Sequence, residues 1–292
     1  MEENMVGRGR QAITMIVDPD SFEENRVGNE TVDGEFGPGA VVGTAQLNGA
    51  PVTVIANDAQ AINPRFPVVY FGVIGMEEAY KMASAVYQTM EADADKPVEQ
   101  KRALVLIVDT PGNGPGKVEE IMGMNKATGA YQLALAEARK AGHPIVAMVI
   151  GRAISGAFLC HGLQADHILA LPKECGTVIH VMPLSSISRI TKMDIESLSE
   201  LSQRSPVFAS GVDFFYRLGG VEEIVPSPEE MRSYVSKHVD EIRALKVQGQ
   251  FDQTGPWGRG TLGAQRKGRT ARKEVLDHID AQFRSVAGRY LL

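Results

Sequence analysis

The sequence predicts an α/β protein built on a largely parallel β-sheet. Three observations lead there. Segments of β character alternate with helix-compatible segments through the middle of the chain. The run Leu104–Val108 is continuous Leu, Val and Ile, as in a strand covered on both faces, rather than alternating apolar and polar. A glycine-bearing turn follows each of two such strands, in VDTPGNGPGK (108–117) and IGRAISGAF (150–158), where a parallel βα unit passes from strand to helix.

Taken in order, residues 1–39 lack sustained periodicity and end in the turn-rich VDGEFGPGA, so they read as an N-terminal arm, or a short helix with loops. A core domain over residues 40–245 opens with two β-rich runs parted by Asn48, Gly49 and Pro51, a hairpin signal. A helix over Met76–Glu91, a strand over Ala103–Asp109, a helix from Val118 to Ala141 and a strand over Pro144–Ile150 follow, and a further helix opens near Ser155. Beyond these come a short strand in TVIHVM, a polar helix over Ser185–Gln203, a helix over Asp213–Leu218, and a turn and strand in GGVEEIVP. Residues 246–292 read as a Gly/Arg-rich linker, Val247–Arg272, and a final amphipathic helix, Lys273–Gly288. The cations Arg259, Arg266, Lys267, Arg269, Arg272 and Lys273 fit a solvated arm, with an acidic or phosphate-bearing partner as the alternative.

Composition narrows the function classes. The chain has 292 residues, 43% hydrophobic and 23% charged, enough apolar surface for a sizeable core, which excludes disorder throughout. A net charge of −6 argues against a nucleic-acid protein. No apolar run approaches the roughly 20 residues of a membrane span. No signal-peptide pattern is readable at the start, so the cytosol is the expected setting. Cys160 and Cys175 have neither CxxC spacing nor a disulfide framework, and read as reduced structural thiols.

The two turns carry the chemistry. Gly112, Gly114 and Gly116 let a loop present backbone N–H groups to an anion, though for the first turn taken alone structural glycines in a strand-to-helix turn are the better explanation. It is no phosphate-binding loop, because Val118 follows Lys117 where Ser or Thr is needed. In the second turn Ser155 suits an N-cap, and Gly156 and Ala157 are small enough for a ligand to reach N–H groups that have no intrahelical acceptor. Two such turns on adjacent strands can place an N–H each around one oxygen, an oxyanion hole.

The pair VDTPGNGPG and IGRAISGAFLCHGLQADHILAL resembles the carboxyltransferase subunits of acyl-CoA carboxylases, in the crotonase-like (ClpP/crotonase) superfamily. With VIHVMP, SISRITKMDIESLSEL and FFYRLGGVEEIV, the stretch from Ala40 to Val225 resembles the gamma subunit of biotin-independent malonate decarboxylase. That resemblance implies a crotonase-like fold and a reaction in which malonyl thioester, on the phosphopantetheine-type arm of an acyl carrier protein, loses CO₂ through an enolate to give acetyl thioester. It implies a beta-subunit partner, a site between subunits and no cofactor bound by this chain. The expected donors to the enolate oxygen are Gly156, Ala157, Gly114 and Gly116, since Pro115 has no N–H. His180 is the candidate proton donor, with Ser155, Asn113 and Arg152 at the substrate, Arg152 as a carboxylate holder or a surface residue.

Two other classes compete. A ClpP-like serine hydrolase would use Ser155 as nucleophile and His180 as base, without an identifiable third triad member. A non-catalytic scaffold subunit would position a partner's site. No metal is expected, because His161 and His167 stand without clustered carboxylates or thiolates; these two, and Cys160, read as packing residues.

Overall fold

The computed structural model describes residues 3–204 and 211–290. Helix α1 (Gly9–Ile16) buries Ala12, Ile13 and Ile16, spaced along one helical face. Ahead of it Met5 is fully buried and donates its N–H to Cys175 O at 3.0 Å. The expected arm therefore contributes core residues, a pattern too short to register as periodicity. Three two-residue strands, β1 (Glu23–Glu24), β2 (Arg26–Val27) and β3 (Glu30–Thr31), lead to the expected hairpin, β4 (Ala40–Leu47) and β5 (Ala50–Asn57). Its turn has φ of 52° at Asn48 and 76° at Gly49, the left-handed pair that a two-residue hairpin favours.

Helix α2 (Met76–Ala92) and strand β6 (Ala103–Thr110) fall where expected, and β6 is buried along its whole length. The helix expected over Val118–Ala141 is two helices, α3 (Lys117–Met122) and α4 (Met124–Lys140), parted at Gly123 with φ of 107°. Strand β7 (Ile145–Ile154) runs straight into α5 (Ser155–Cys160), followed by β8 (His167–Ala170) and β9 (Val178–His180). The polar helix also divides, into α6 (Leu184–Thr191) and α7 (Ile195–Arg204), with Lys192 left-handed between them. Helix α8 (Val212–Arg217) and strand β10 (Glu223–Ile224) precede α9 (Met231–Val247), which covers the sheet with Met231, Val235, Val239 and Ile242.

The expected mobile linker is instead docked. It carries α10 (Gly255–Gln265), where buried Arg259 donates to Ala165 O at 2.7 Å and Leu163 O at 2.5 Å. Arg266 donates to Tyr216 O and Val221 O, both at 2.7 Å. These cations satisfy carbonyls at the ends of neighbouring elements, which is why a segment poor in apolar residues still packs. The last helix, α11 (Arg272–Val286), buries no residue and is exposed along its length except at its two ends, Arg272 and Val286.

The main sheet runs β1-β4-β5-β6-β7-β8-β10, with β9 pairing β7 at its far end. From β5 to β10 every pairing is parallel. One apolar cluster lies on the α2, α4 and α5 face and another on the α1 and α9 face. This is the predicted α/β architecture, and it puts the carboxyl ends of β6 and β7 side by side, so both glycine turns leave the same edge.

Candidate active site at the carboxyl edge of the sheet

At that edge the pairing of β6 with β7 slips. Val108 faces Val149 but Thr110 faces Ala153, so Ile150, Gly151 and Arg152 stand against Asp109 alone. Such a bulge re-aims side chains. It points Arg152 at Asp109: backbone N and Nε donate to Oδ1 at 2.8 Å each, and Nη2 to Oδ2 at 3.0 Å. A Cβ on Gly151 would lie 2.5 Å from Asp109 Oδ1, so the bulge requires glycine there. Gly7 N donates to Asp109 Oδ2 at 2.7 Å, which anchors the N-terminal segment to the floor of the site. Arg152 is thus neither a surface residue nor a free carboxylate holder. It is buried, its carboxylate partner is Asp109, its guanidinium lies 4.0 Å from the Phe71 ring centroid, and only Nη1 is without a partner.

The turns meet. A Cβ built on Gly156 would lie 2.7 Å from Asn113 Nδ2, so the Asn113 amide of the first turn rests directly over Gly156 of the second. Asn113 Oδ1 is buried without a partner. Gly156 and Ala157 occupy the second and third positions of α5, where N–H groups have no intrahelical acceptor, and the residue preceding the helix, Ile154, provides no side-chain cap.

The first turn supplies fewer donors than the sequence suggested. Ile74 bridges Asn113 in parallel: Ile74 N donates to Gly112 O at 3.1 Å, and Gly114 N donates to Ile74 O at 2.9 Å. Gly114 is therefore removed from the oxyanion donors, its N–H being occupied. Its glycine identity has another cause, since a Cβ there would lie 2.6 Å from Glu119 Oε2. Gly116 also packs on Glu119, at 3.0 Å, but its N–H has no such strand partner.

Glu119 is the residue that sequence reasoning missed. It is fully buried, accepts Met76 N at Oε1 (3.1 Å) and leaves Oε2 without a partner. Burial, then the charges of Glu120 and Glu77, raise its pKa above the ordinary carboxylate value. The only sequence signal was a carboxylate just after a glycine turn, which reads as an ordinary first-turn helix residue.

Ser155 has φ of 55°, lies exposed and makes no side-chain hydrogen bond among the described residues, so the expected N-cap is absent. The reason is position: Ser155 is already the first helical residue, not the one before it. His180 ends β9 opposite Ile154, adjacent to Ser155, with Nδ1 buried and unpartnered and its pKa lowered by burial. His161 is core, as expected, bonded to Tyr131 Oη and Ile107 O at 2.9 Å each and held neutral, its pKa pushed down to about 4 by burial. Cys160 is also core, its thiol pushed up to about 12 by burial.

A parallel sheet whose adjacent strands end in two touching turns around small residues is the arrangement of the crotonase-type carboxyltransferase class. Within that class the chain belongs to the malonate decarboxylase gamma subunit family, which it matches over residues 71–283. It is 65% identical, over 96% of its length and 97% of the relative's, to the malonyl-S-ACP:biotin-protein carboxyltransferase MADD of Malonomonas rubra. It superimposes on a chain of the Pseudomonas malonate decarboxylase MdcD-MdcE hetero-dimer with a TM-score of 0.68 at 29% identity, covering 84% of this chain and 90% of that one. A chain of the Pseudomonas hetero-tetramer in complex with coenzyme A gives a TM-score of 0.66 at 32% identity, covering 82% and 90%.

Proposed function

We propose that this chain is the malonate decarboxylase subunit that lodges the thioester oxygen of malonyl-S-acyl carrier protein between the two turns. The observation that carries this reading is the Asn113 amide over Gly156, in a chain of this family. When the C–C bond to the carboxyl group breaks, its electron pair moves into the thioester carbonyl and CO₂ departs. The oxygen gains the charge, and a preorganised N–H aimed at it is worth about 2.7–4 kcal/mol. Gly156 and Ala157 are the donors from α5, with Gly116 and the Asn113 amide from the facing turn. His180, neutral at rest, takes a proton from solvent water at its unpartnered Nδ1, leaving hydroxide to the buffer, and passes that proton to the enolate carbon, yielding acetyl thioester. No acyl-enzyme is needed, so Ser155 stays unmodified.

A beta-type subunit completes the site. The Pseudomonas relatives are hetero-oligomers, and here the turns open onto exposed apolar side chains, Ile121, Met122, Val181, Tyr70 and Phe71 among them. Such a rim is a surface for a partner. Among the described residues no helix is long and apolar enough to cross a membrane.

The acceptor of the carboxyl group admits a second reading, favoured by the name of the Malonomonas relative: transfer to a biotin protein in place of direct release. The enolate chemistry of this subunit is the same in both. The test is co-purification with a beta-type partner and assay of malonyl thioester on carrier protein, with and without avidin. Acetyl thioester formed at an undiminished rate with avidin present supports direct decarboxylation, and inhibition by avidin supports the biotin acceptor. A complex that forms no acetyl thioester under either condition would leave the scaffold role.

A further inference from the structure

We propose that His167, His238 and Glu241 form a binding site for one divalent transition-metal ion of zinc type, at the edge of the sheet opposite the turns. His167 opens β8 in register with Val146, near the start of β7, whereas the turns follow the ends of β6 and β7. His238 and Glu241 lie three apart on α9, hence on one helical face.

The geometry has the shape of a ligand set. Ligand atoms of the three side chains all lie within 4.8 Å of one another, and this is the one such group of His, Cys, Asp and Glu among the described residues. His167 Nδ1 and His238 Nδ1 face each other at 2.8 Å, and Glu241 Oε2 lies 3.5 Å from His238 Nδ1. Two ligands on a tetrahedral ion with bonds of about 2.0–2.1 Å sit roughly 3.3 Å apart, so both separations need only small rotations to accept it. Two imidazoles and a carboxylate are a zinc-type donor set, with room for water in a fourth position.

The support behind the ligands is the second observation. His238 Nε2 lies 2.9 Å from Glu223 Oε2, which also accepts Lys237 Nζ at 2.8 Å. An imidazole that donates Nε2–H to a carboxylate presents a lone pair at Nδ1, the arrangement that fixes metal-bound histidines. The cations around the cluster are already paired: Lys237 with Glu223, Lys246 with Asp166 at 2.7 Å, and Arg259 with Glu222 at 3.9 Å. Glu241 is exposed, and among the described residues its ion-pair contact is with His238 itself, while Lys237 feels its charge only at longer range, so its carboxylate is open to the ion. Access runs past His167, which lines an open cavity of about 500 Å³ with Glu222, Asp252 and Gln265. The ion would tie β8 to α9 and brace that edge, with no part in the chemistry at the turns.

The test uses the full chain, stripped with chelator, titrated with Co²⁺ and then Zn²⁺. His278→Gln is built into every variant to remove the exposed His278–Glu274 pair on α11 as a competing site. The expected result is one Co²⁺ per chain with a d–d absorption spectrum of low coordination number, displacement by Zn²⁺, and a rise of a few degrees in the thermal midpoint. Glu241→Gln, a surface change safe for folding, should weaken binding at least tenfold, and His167→Gln should abolish it. Absence of stoichiometric binding overturns the proposal and leaves a histidine–histidine hydrogen bond. Binding that survives both substitutions also overturns it. Thioester turnover should be the same in the stripped and metal-loaded complex.

Discussion

The two turns at the carboxyl edge look alike in sequence and differ in what their glycines do. In the first, Gly114 gives its N–H to Ile74 and makes room for the Glu119 carboxyl, so it is a packing glycine. In the second, Gly156 sits in the first turn of a helix, where its N–H has no intrahelical acceptor, with the Asn113 amide of the other turn against it. A glycine is thus evidence of a ligand only when its N–H is unoccupied.

The largest expected effect tests the second turn. Gly156→Val places methyl groups where Asn113 Nδ2 now lies and where the thioester oxygen must enter. Turnover should fall by roughly 10²–10³ or more, as for loss of an oxyanion donor, with circular dichroism and partner binding retained. A rate within tenfold of wild type would remove the second turn from the mechanism.

Gly114→Ala should act through stability. Its Cβ meets Glu119 Oε2 at 2.6 Å, and overpacking of this kind costs about 1–3 kcal/mol. Glu119→Ala opens space for it, so the double variant should be more stable than the sum of the single changes, read from denaturant midpoints. Simple additivity would mean that Glu119 does not confine Gly114.

Glu119 also gives the first turn a pH dependence. Burial raises its folded-state pKa, so between the ordinary carboxylate value and the raised one the folded protein holds a proton that the unfolded chain has lost. Its contribution is full below the ordinary carboxylate value and is lost as pH rises through the raised one. Glu119→Gln, which mimics the protonated form, should therefore flatten the fall in stability above that range. An unchanged profile would show that the carboxyl ionises freely.

Sequence reading reached the fold because each parallel strand is a continuous apolar run, and burial on both faces leaves no other pattern. It reached the second turn because a small-residue opening of a helix is local. It missed Glu119, the Asp109–Arg152 pair and His167–His238 for one reason: each depends on a bulge, a bridge or a partner distant along the chain, 43 positions away for the ion pair and 71 for the histidines. It read Val247–Arg272 as a free linker because docking by arginines onto carbonyls produces no apolar periodicity. Helix α9, whose core face is only four apolar residues among charged ones, gave no clear signal either.

The smallest expected effect concerns Ser155. Its hydroxyl is exposed and unbonded, and the structure assigns it no capping duty. What it carries is backbone strain: φ of 55° costs a non-glycine residue of order 1 kcal/mol, less for a short polar one. A sharp strand-to-helix elbow with positive φ is also how hydrolases present a nucleophilic serine, and His180 stands on the neighbouring strand. The two roles differ in what alanine does. If Ser155 only occupies the elbow, Ser155→Ala keeps turnover within a few-fold and changes stability by less than about 1 kcal/mol, while Ser155→Gly, at ease with positive φ, is as stable or more so. A nucleophile would lose activity by many orders of magnitude on the same change. Fluorophosphonate labelling decides independently, because decarboxylation through an enolate forms no bond to Ser155, and a labelled Ser155 together with an inactive alanine variant would transfer the chemistry from the backbone N–H groups to the hydroxyl.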